Sequence, residues 1–192
     1  MKNVIVLYGA VAVGKLTVGK ELSRTLGYKL THNHLVSDLV WSIFERGTLE
    51  ANSLIEKLRY EIHEAAVKSG QGLVTTHCYG HNYVSPTGLS DPEYLKTLEQ
   101  RLEKMGARVL FVHLQADKET LLNRVINESR KEYKKLTKVP KMRDLLDKED
   151  FTTSAPVKKN LVIDNSKLSP EEVVHIITEH YKLKSAEQEK IC

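Results

Sequence analysis

The stretch with the clearest chemistry is Gly9-Ala10-Val11-Ala12-Val13-Gly14-Lys15-Leu16-Thr17. It has the spacing G-x-x-x-x-G-K. A continuous apolar run, Val4 to Tyr8, precedes it, and a helical pattern starts directly behind it, so the context is strand, tight loop, helix. Gly9 and Gly14 can adopt backbone angles that a Cβ forbids, which lets the loop wrap closely. Its N–H groups and the helix N-terminus then converge and favour an anion. Lys15 adds a mobile positive charge. These are the requirements of a polyphosphate site. The residue after the lysine, where a hydroxyl would meet Mg²⁺, is Leu16. Thr17, one position on, is the hydroxyl left for the metal.

A second group is His32-Asn33-His34, followed one helical turn later by Asp38. Two histidines at i and i+2 could ligate a metal, but no third ligand stands at metal-site spacing. Hydrogen bonding to a substrate fits better, because the triplet lies where a second strand should end. Asn33 could equally cap the next helix. Asp38 could take a proton from a hydroxyl, or be a carboxylate on an exposed helix face. His77 ends a third strand. It cannot pair with Cys78, since neighbours on a strand point to opposite faces. Asp91 and Asp117 read as helix caps.

Arg124 and Arg130 flank a basic stretch, Arg130 to Arg143, with seven basic residues and one acid. A lid whose arginines close over phosphates is one reading; a nucleic-acid patch or a solvated surface are others. Tyr133 is its single aromatic, which speaks against a stacking platform for single strands. Guanidinium forks match phosphate geometry better than ammonium groups do.

The elements that must position these residues follow from periodicity and punctuation. A first helix runs from Lys15 to Leu26 and stops at Gly27. A second carries Leu35, Leu39, Ile43 and Phe44 on one face. A third runs from about Ala51 to Ser69, with Leu54, Leu58 and Ile62 as its stripe. Leu73 to Cys78 is a buried strand, and Tyr79 to Ser90 is a loop long enough to be functional. Asp91-Pro92 opens a helix bearing Leu95, Leu98, Leu102 and Met105. Arg108 to Leu114 is a strand. Asp117 caps a helix with Leu121, Leu122, Val125 and Ile126. Asn160 to Asp164 is the last strand, and Ser169-Pro170-Glu171-Glu172 opens the last helix. This alternation implies a parallel sheet with helices on both faces, and ligands beyond the carboxyl ends of its strands.

The 192 residues suit one domain, residues 1–183, with a lid at about 129–150 and a tail, 184–192, that has little to bury. Two distant cysteines suit a reducing compartment. No apolar run approaches the ~20 residues of a membrane span, and Met1-Lys2-Asn3 leaves no room for a signal peptide. The expectation is a cytoplasmic protein, monomer or homodimer. Its net charge of +4 fits an anionic ligand without demanding nucleic acid.

Taken together, these residues resemble the small P-loop kinases, adenylate kinase and shikimate kinase among them. Gly9 to Thr17 matches the phosphate loop. Val109 to Leu114 with Lys118 to Arg124 looks like the fourth strand and the helix leading into the lid. Leu161 to Ser166 looks like the last strand and the loop packed against adenine. More closely, Gly14 to Val18 with Thr31 to Leu35 looks like a group of shikimate-kinase-like, AAA-type P-loop proteins. The resemblance implies a three-layer α/β/α P-loop NTPase fold with a five-stranded parallel sheet ordered 2-3-1-4-5. It implies ATP and Mg²⁺, with Arg124 and Arg130 near the phosphates and Asn165 and Ser166 beside adenine. Where shikimate kinases carry an aspartate-rich motif, this chain has His32-Asn33-His34. Two function classes follow. One is a kinase of a small-molecule acceptor, with Lys15, Arg124, Arg130 and Asp38 in catalysis and His32, Asn33, His34, Asp38 and His77 at the acceptor. The other is a nucleotide-binding regulator without transfer activity. An RNA-end contact by the basic stretch is a third, weaker reading.

Overall fold

The structure, a computed structural model, describes residues 2–128, 130 and 135–186. Ser129, Lys131 to Lys134 (with Tyr133) and the tail from 187 onward lie outside them. The sheet is parallel and ordered β2-β3-β1-β4-β5. Its strands are β1 (Asn3–Gly9), β2 (Lys29–Thr31), β3 (Leu73–Cys78), β4 (Arg108–Gln115) and β5 (Asn160–Asp164). The order is that of a P-loop NTPase.

β1 is central, paired with β3 and β4, so both its faces are covered and Val4 to Tyr8 are fully buried. Alternation along the strand splits the core in two. Ile5 and Leu7 join the side of helices α1 (Lys15–Leu26) and α7 (Pro170–Tyr181). Val4, Val6 and Tyr8 join the side of α3 (Leu49–Lys68) and α4 (Asp91–Lys104). Helices thus cover both faces in three layers. α1 buries Val18, Leu22 and Leu26, and stops at Gly27 with φ 68°. α7 opens on the expected Ser169–Glu172 capping box, and Tyr181 Oη donates to Phe111 O at 2.6 Å. Asp117 Oδ1 accepts from Thr120 N at 2.7 Å and caps α5 (Lys118–Val125).

Several expectations are corrected. The second helix, α2 (Asn33–Val40), presents the other stripe to the protein: Val36, Ser37 and Val40 are buried, while Leu35 and Leu39 are 52% and 60% exposed, with Ile43 and Phe44 also outside. Both stripes have helical spacing. The rotation is set by tertiary bonds, Asn33 N to Thr76 Oγ1 and Arg59 to Ser37 Oγ. Asn33 is not the cap, because His32 occupies that position. α3 begins two residues earlier than expected, on a Thr48 cap, and buries Ala51, Ile55, Tyr60, His63 and Val67, leaving Ile62 largely exposed. Ser90, not Asp91, caps α4, through a capping box with Glu93. Ile126 is exposed. The charged stretch holds an unexpected helix, α6 (Val139–Lys148), which buries Met142 fully and sets Val139, Leu145 and Leu146 against the core. Among the described residues, no helix is long and apolar enough to cross a membrane.

Two of the expected outcomes concern stability. A Cβ on Gly9, whose φ is 135°, would sit 2.3 Å from Leu114 O. Gly9→Ala should therefore cost at least about 3 kcal/mol, strain and clash together, read as a lower urea midpoint. His113 is 0% exposed, stacked on Tyr8 and bonded to Ser154 Oγ and Phe151 O. Burial holds its pKa down to about 4, against the bond to Phe151 O and the charge of Asp150 and with the help of Lys15, and burial holds that of His63 down to about 4 as well. An unfolded histidine takes a proton near pH 6.5 and these folded ones only near pH 4. Unfolding therefore takes up protons in that window, and stability is complete above it and falls as pH falls through it, by up to about 3 kcal/mol per histidine. Urea midpoints at pH 7 and pH 5 check the sign.

Candidate active site

The carboxyl ends of the three central strands are level, with Gly9 paired to both Cys78 and Leu114. Their loops surround one cleft of about 980 Å³. At its floor the chain leaves β1 through Gly9, passes Ala12 with φ 65°, and enters α1 at Gly14 with φ 101°. A left-handed alanine is uncommon, and here it belongs to a loop folded around its own N–H groups. α1 has no side-chain cap. Among the described residues, the N–H groups of Lys15, Leu16 and Thr17 meet no protein acceptor. That is the anion cradle expected of the motif.

Lys15 folds back over this loop, and Nζ donates to Gly9 O at 2.8 Å and Ala10 O at 2.6 Å. Burial pushes its pKa down. Cys78 and Asp91 act to raise it, and Arg130 and Lys135 to lower it. Those groups therefore share the space above the loop. Burial in turn pushes the Cys78 thiol up, against the pull of Lys15. Leu16 and Thr17 both line the cleft. Glycine angles, free N–H groups and a lysine fit a polyphosphate. The hydroxyl available to Mg²⁺ is that of Thr17, which is exposed at the cleft. Among the described residues, no three His, Cys, Asp or Glu side chains are grouped to hold a metal ion.

One wall ties the loop to the end of β5. Arg124 Nη1 donates to Asn165 Oδ1 (3.1 Å) and Val13 O (3.3 Å), and Nη2 donates to Asn165 O (2.9 Å) and Ser166 O (3.4 Å). Asn165 Nδ2 also donates to Val13 O at 2.8 Å. Ser166 Oγ receives Asp117 N and donates to Asp164. Arg124 thus braces the phosphate loop against residues 165 and 166. Arg130 also lines the cleft. Its Nε donates to Leu136 O at 2.9 Å, and burial lowers its pKa.

The opposite wall carries the other expected residues. His32, Asn33, His34 and His77 line the cleft. Burial lowers the pKa of both His32 and His34. Asp38 accepts from His34 Nδ1 at 3.2 Å, and this contact partly offsets the burial of His34. Asp38 is not among the residues that line the cleft. His77 stacks on Tyr94 and meets Asp91 Oδ1 at 3.0 Å.

Asp91 is the residue that sequence reasoning missed. It is 8% exposed, lines the cleft, and accepts Gly80 N at 2.8 Å through Oδ2. The signal was available: Ser90 and Glu93 form a capping box, which frees Asp91 from the capping role. Glu56, Arg59, Tyr83 and Glu149 line the same end. The loop after β3 is fastened to the chain after α6, as His81 N donates to Asp150 O (2.7 Å) and Asn82 bonds to both Lys148 O and Asp150 N.

No family model matches the sequence, and no curated protein matches it. Solved structures do. A sugar kinase from Janibacter, unliganded, is similar with a TM-score of 0.66 at 15% identity, covering 95% of this chain and 96% of that one. A shikimate kinase from Acinetobacter baumannii in complex with shikimate gives 0.56 at 18%, covering 95% and 94%. A shikimate kinase from Aquifex aeolicus gives 0.53 at 21%, covering 93% and 96%. At these identities the likeness shows the fold, which is the shikimate-kinase-like P-loop fold.

Replacing Arg124 by alanine leaves four carbonyl oxygens without this donor. Arg124→Ala should lower stability by about 2–3 kcal/mol in urea unfolding, and Arg124→Lys should not restore it, since one ammonium cannot span the fork.

Proposed function

We propose that the protein is an ATP-dependent kinase that passes a phosphoryl group to a hydroxyl of a small molecule. The observation that carries the reading is a shared cleft. The open N–H groups of the first α1 turn and Lys15 face the same space as His32, Asn33, His34, His77 and Asp91. The kinases of similar fold support the reaction class.

In this reading the Gly9 to Gly14 loop, the open N–H groups at the start of α1, Lys15 and Thr17 hold the phosphates. Thr17 serves Mg²⁺, and Asn165 and Ser166 border the adenine. Bound ATP supplies the group that is transferred. Phosphoryl transfer depends mainly on positioning and on neutralising charge. Lys15 and Arg130 neutralise the phosphate oxygens, and Arg124 keeps the loop and the adenine wall in register. His32, Asn33, His34 and His77 orient the acceptor, whose hydroxyl proton goes to a carboxylate. Asp38, which accepts from His34, is one candidate for that role. Asp91 competes with it, because it lines the cleft and acts on Lys15. The segment 129–150 serves as the lid. The setting is cytoplasmic, the chain works as a monomer or homodimer, and nucleic acid is not its partner.

The second reading, a nucleotide-binding regulator without transfer, is favoured by Leu16 at the position of the metal-binding hydroxyl.

ADP release from ATP and Mg²⁺ over a panel of nucleoside monophosphates, shikimate, sugars and amino alcohols decides between them. A kinase gives an acceptor-dependent signal that Lys15→Ala lowers at least about 100-fold, with the fold intact by circular dichroism. Asp91→Asn and Asp38→Asn then identify the base by which one lowers kcat while ATP binding holds. ATP binding by calorimetry with no turnover for any acceptor would favour the regulator.

A further inference from the structure

Behind the acceptor wall lies a second, much smaller cavity, with about 10 Å³ of room for a water's centre. That is close to the room one water needs. Val6, Val36 and Leu98 line its apolar sides, and Thr31, Thr76, Arg59 and His63 its polar ones. Two of these residues carry a buried polar atom without a hydrogen-bond partner, Arg59 Nε and His63 Nδ1. Buried polar atoms are nearly always satisfied, by protein or by water.

The two atoms have complementary chemistry. His63 is 4% exposed, and its Nε2 lies 2.9 Å from Thr75 Oγ1. Burial, reinforced by the charge of Arg59, keeps the ring neutral. In the tautomer that carries its proton on Nε2 and donates it to Thr75 Oγ1, Nδ1 is an acceptor. Arg59 Nε–H is always a donor. A single water can accept from one and donate to the other, and the hydroxyls of Thr31 and Thr76 line the same cavity for its remaining bonds.

We propose that one structural water fills this cavity, accepting from Arg59 Nε–H and donating to His63 Nδ1, and that His63 is thereby a positioning residue for Arg59. Arg59 Nη2 already donates to Ser37 Oγ at 2.9 Å, and Ser37 in turn donates to Asn33 O. Nε and Nη2 share one edge of the guanidinium. The water and Ser37 therefore hold that edge at two points, and orient a cation that lines both the small cavity and the main cleft. That Arg59 there meets an acceptor rests on the kinase reading; the water does not.

The test begins with a high-resolution crystal structure of the unaltered protein. An ordered water between Arg59 Nε and His63 Nδ1 is expected, and a dry cavity overturns the proposal. Two substitutions then separate the two ring nitrogens. His63→Asn keeps an acceptor oxygen near the Nδ1 position, and His63→Gln keeps a polar group near the Nε2 position but not near Nδ1. NMR exchange of the Arg59 Nε proton with solvent should be about tenfold or more faster in His63→Gln than in His63→Asn. Equal exchange in two folded variants overturns the positioning role, and if neither folds, the crystal structure of the unaltered protein decides. Absence of kinase activity would change neither readout.

Discussion

The structure depends on one constraint: β1 is buried on both faces and must stop level with its neighbours. Val4 to Tyr8 carry no exposed surface, and Gly9 lies against Leu114 with no room for a side chain. The chain therefore turns sharply where three parallel strands end together. The phosphate loop is the product of that turn. Among the described residues, the first N–H groups of α1 meet no protein acceptor, and α1 starts without a side-chain cap.

The cleft is asymmetric in charge and in construction. On the α5 and β5 side, Arg124 and Asn165 spend their hydrogen bonds on carbonyls and hold the loop in shape. On the α2 and α4 side, histidines pair with carboxylates, His34 with Asp38 and His77 with Asp91, and Glu56 accepts from the hydroxyls of Ser85 and Thr87. Cations share the cleft with Lys15, where Arg130 and Lys135 both act on it. A polyanion suits the first region and a hydroxylated small molecule the second.

The position of Asp91 shows how a cap motif and a site can share residues. Ser90 and Glu93 satisfy the first N–H groups of α4, so Asp91 is released to bind His77 and Gly80 N. A carboxylate near a helix N-terminus is stabilised by the free N–H groups there. The same placement brings it to the end of β3, across the cleft from the lysine.

The strands, the glycine turn before α1 and most helix ends were legible in the sequence, because they rest on local rules: continuous apolar runs, glycine stops, capping boxes and the G-x-x-x-x-G-K spacing; the strand order came from the resemblance to the small P-loop kinases. Leu35 and Leu39 show where local rules end. Their spacing is as helical as that of Val36 and Val40, and only contacts with Thr76 and Arg59, far away in the chain, decide which stripe faces inward. α6 carried a periodic signal of its own, Val139, Met142, Leu145 and Leu146 on one face, inside a stretch whose charged residues read as a loop. The sequence by itself determined which residue types were available for phosphate and acceptor. Asp38 stands beside His34 through the i, i+4 spacing of α2 alone, but the tertiary structure decided that Arg124 braces the loop and that Asp91 enters the cleft, because each depends on elements that meet only when the sheet is assembled.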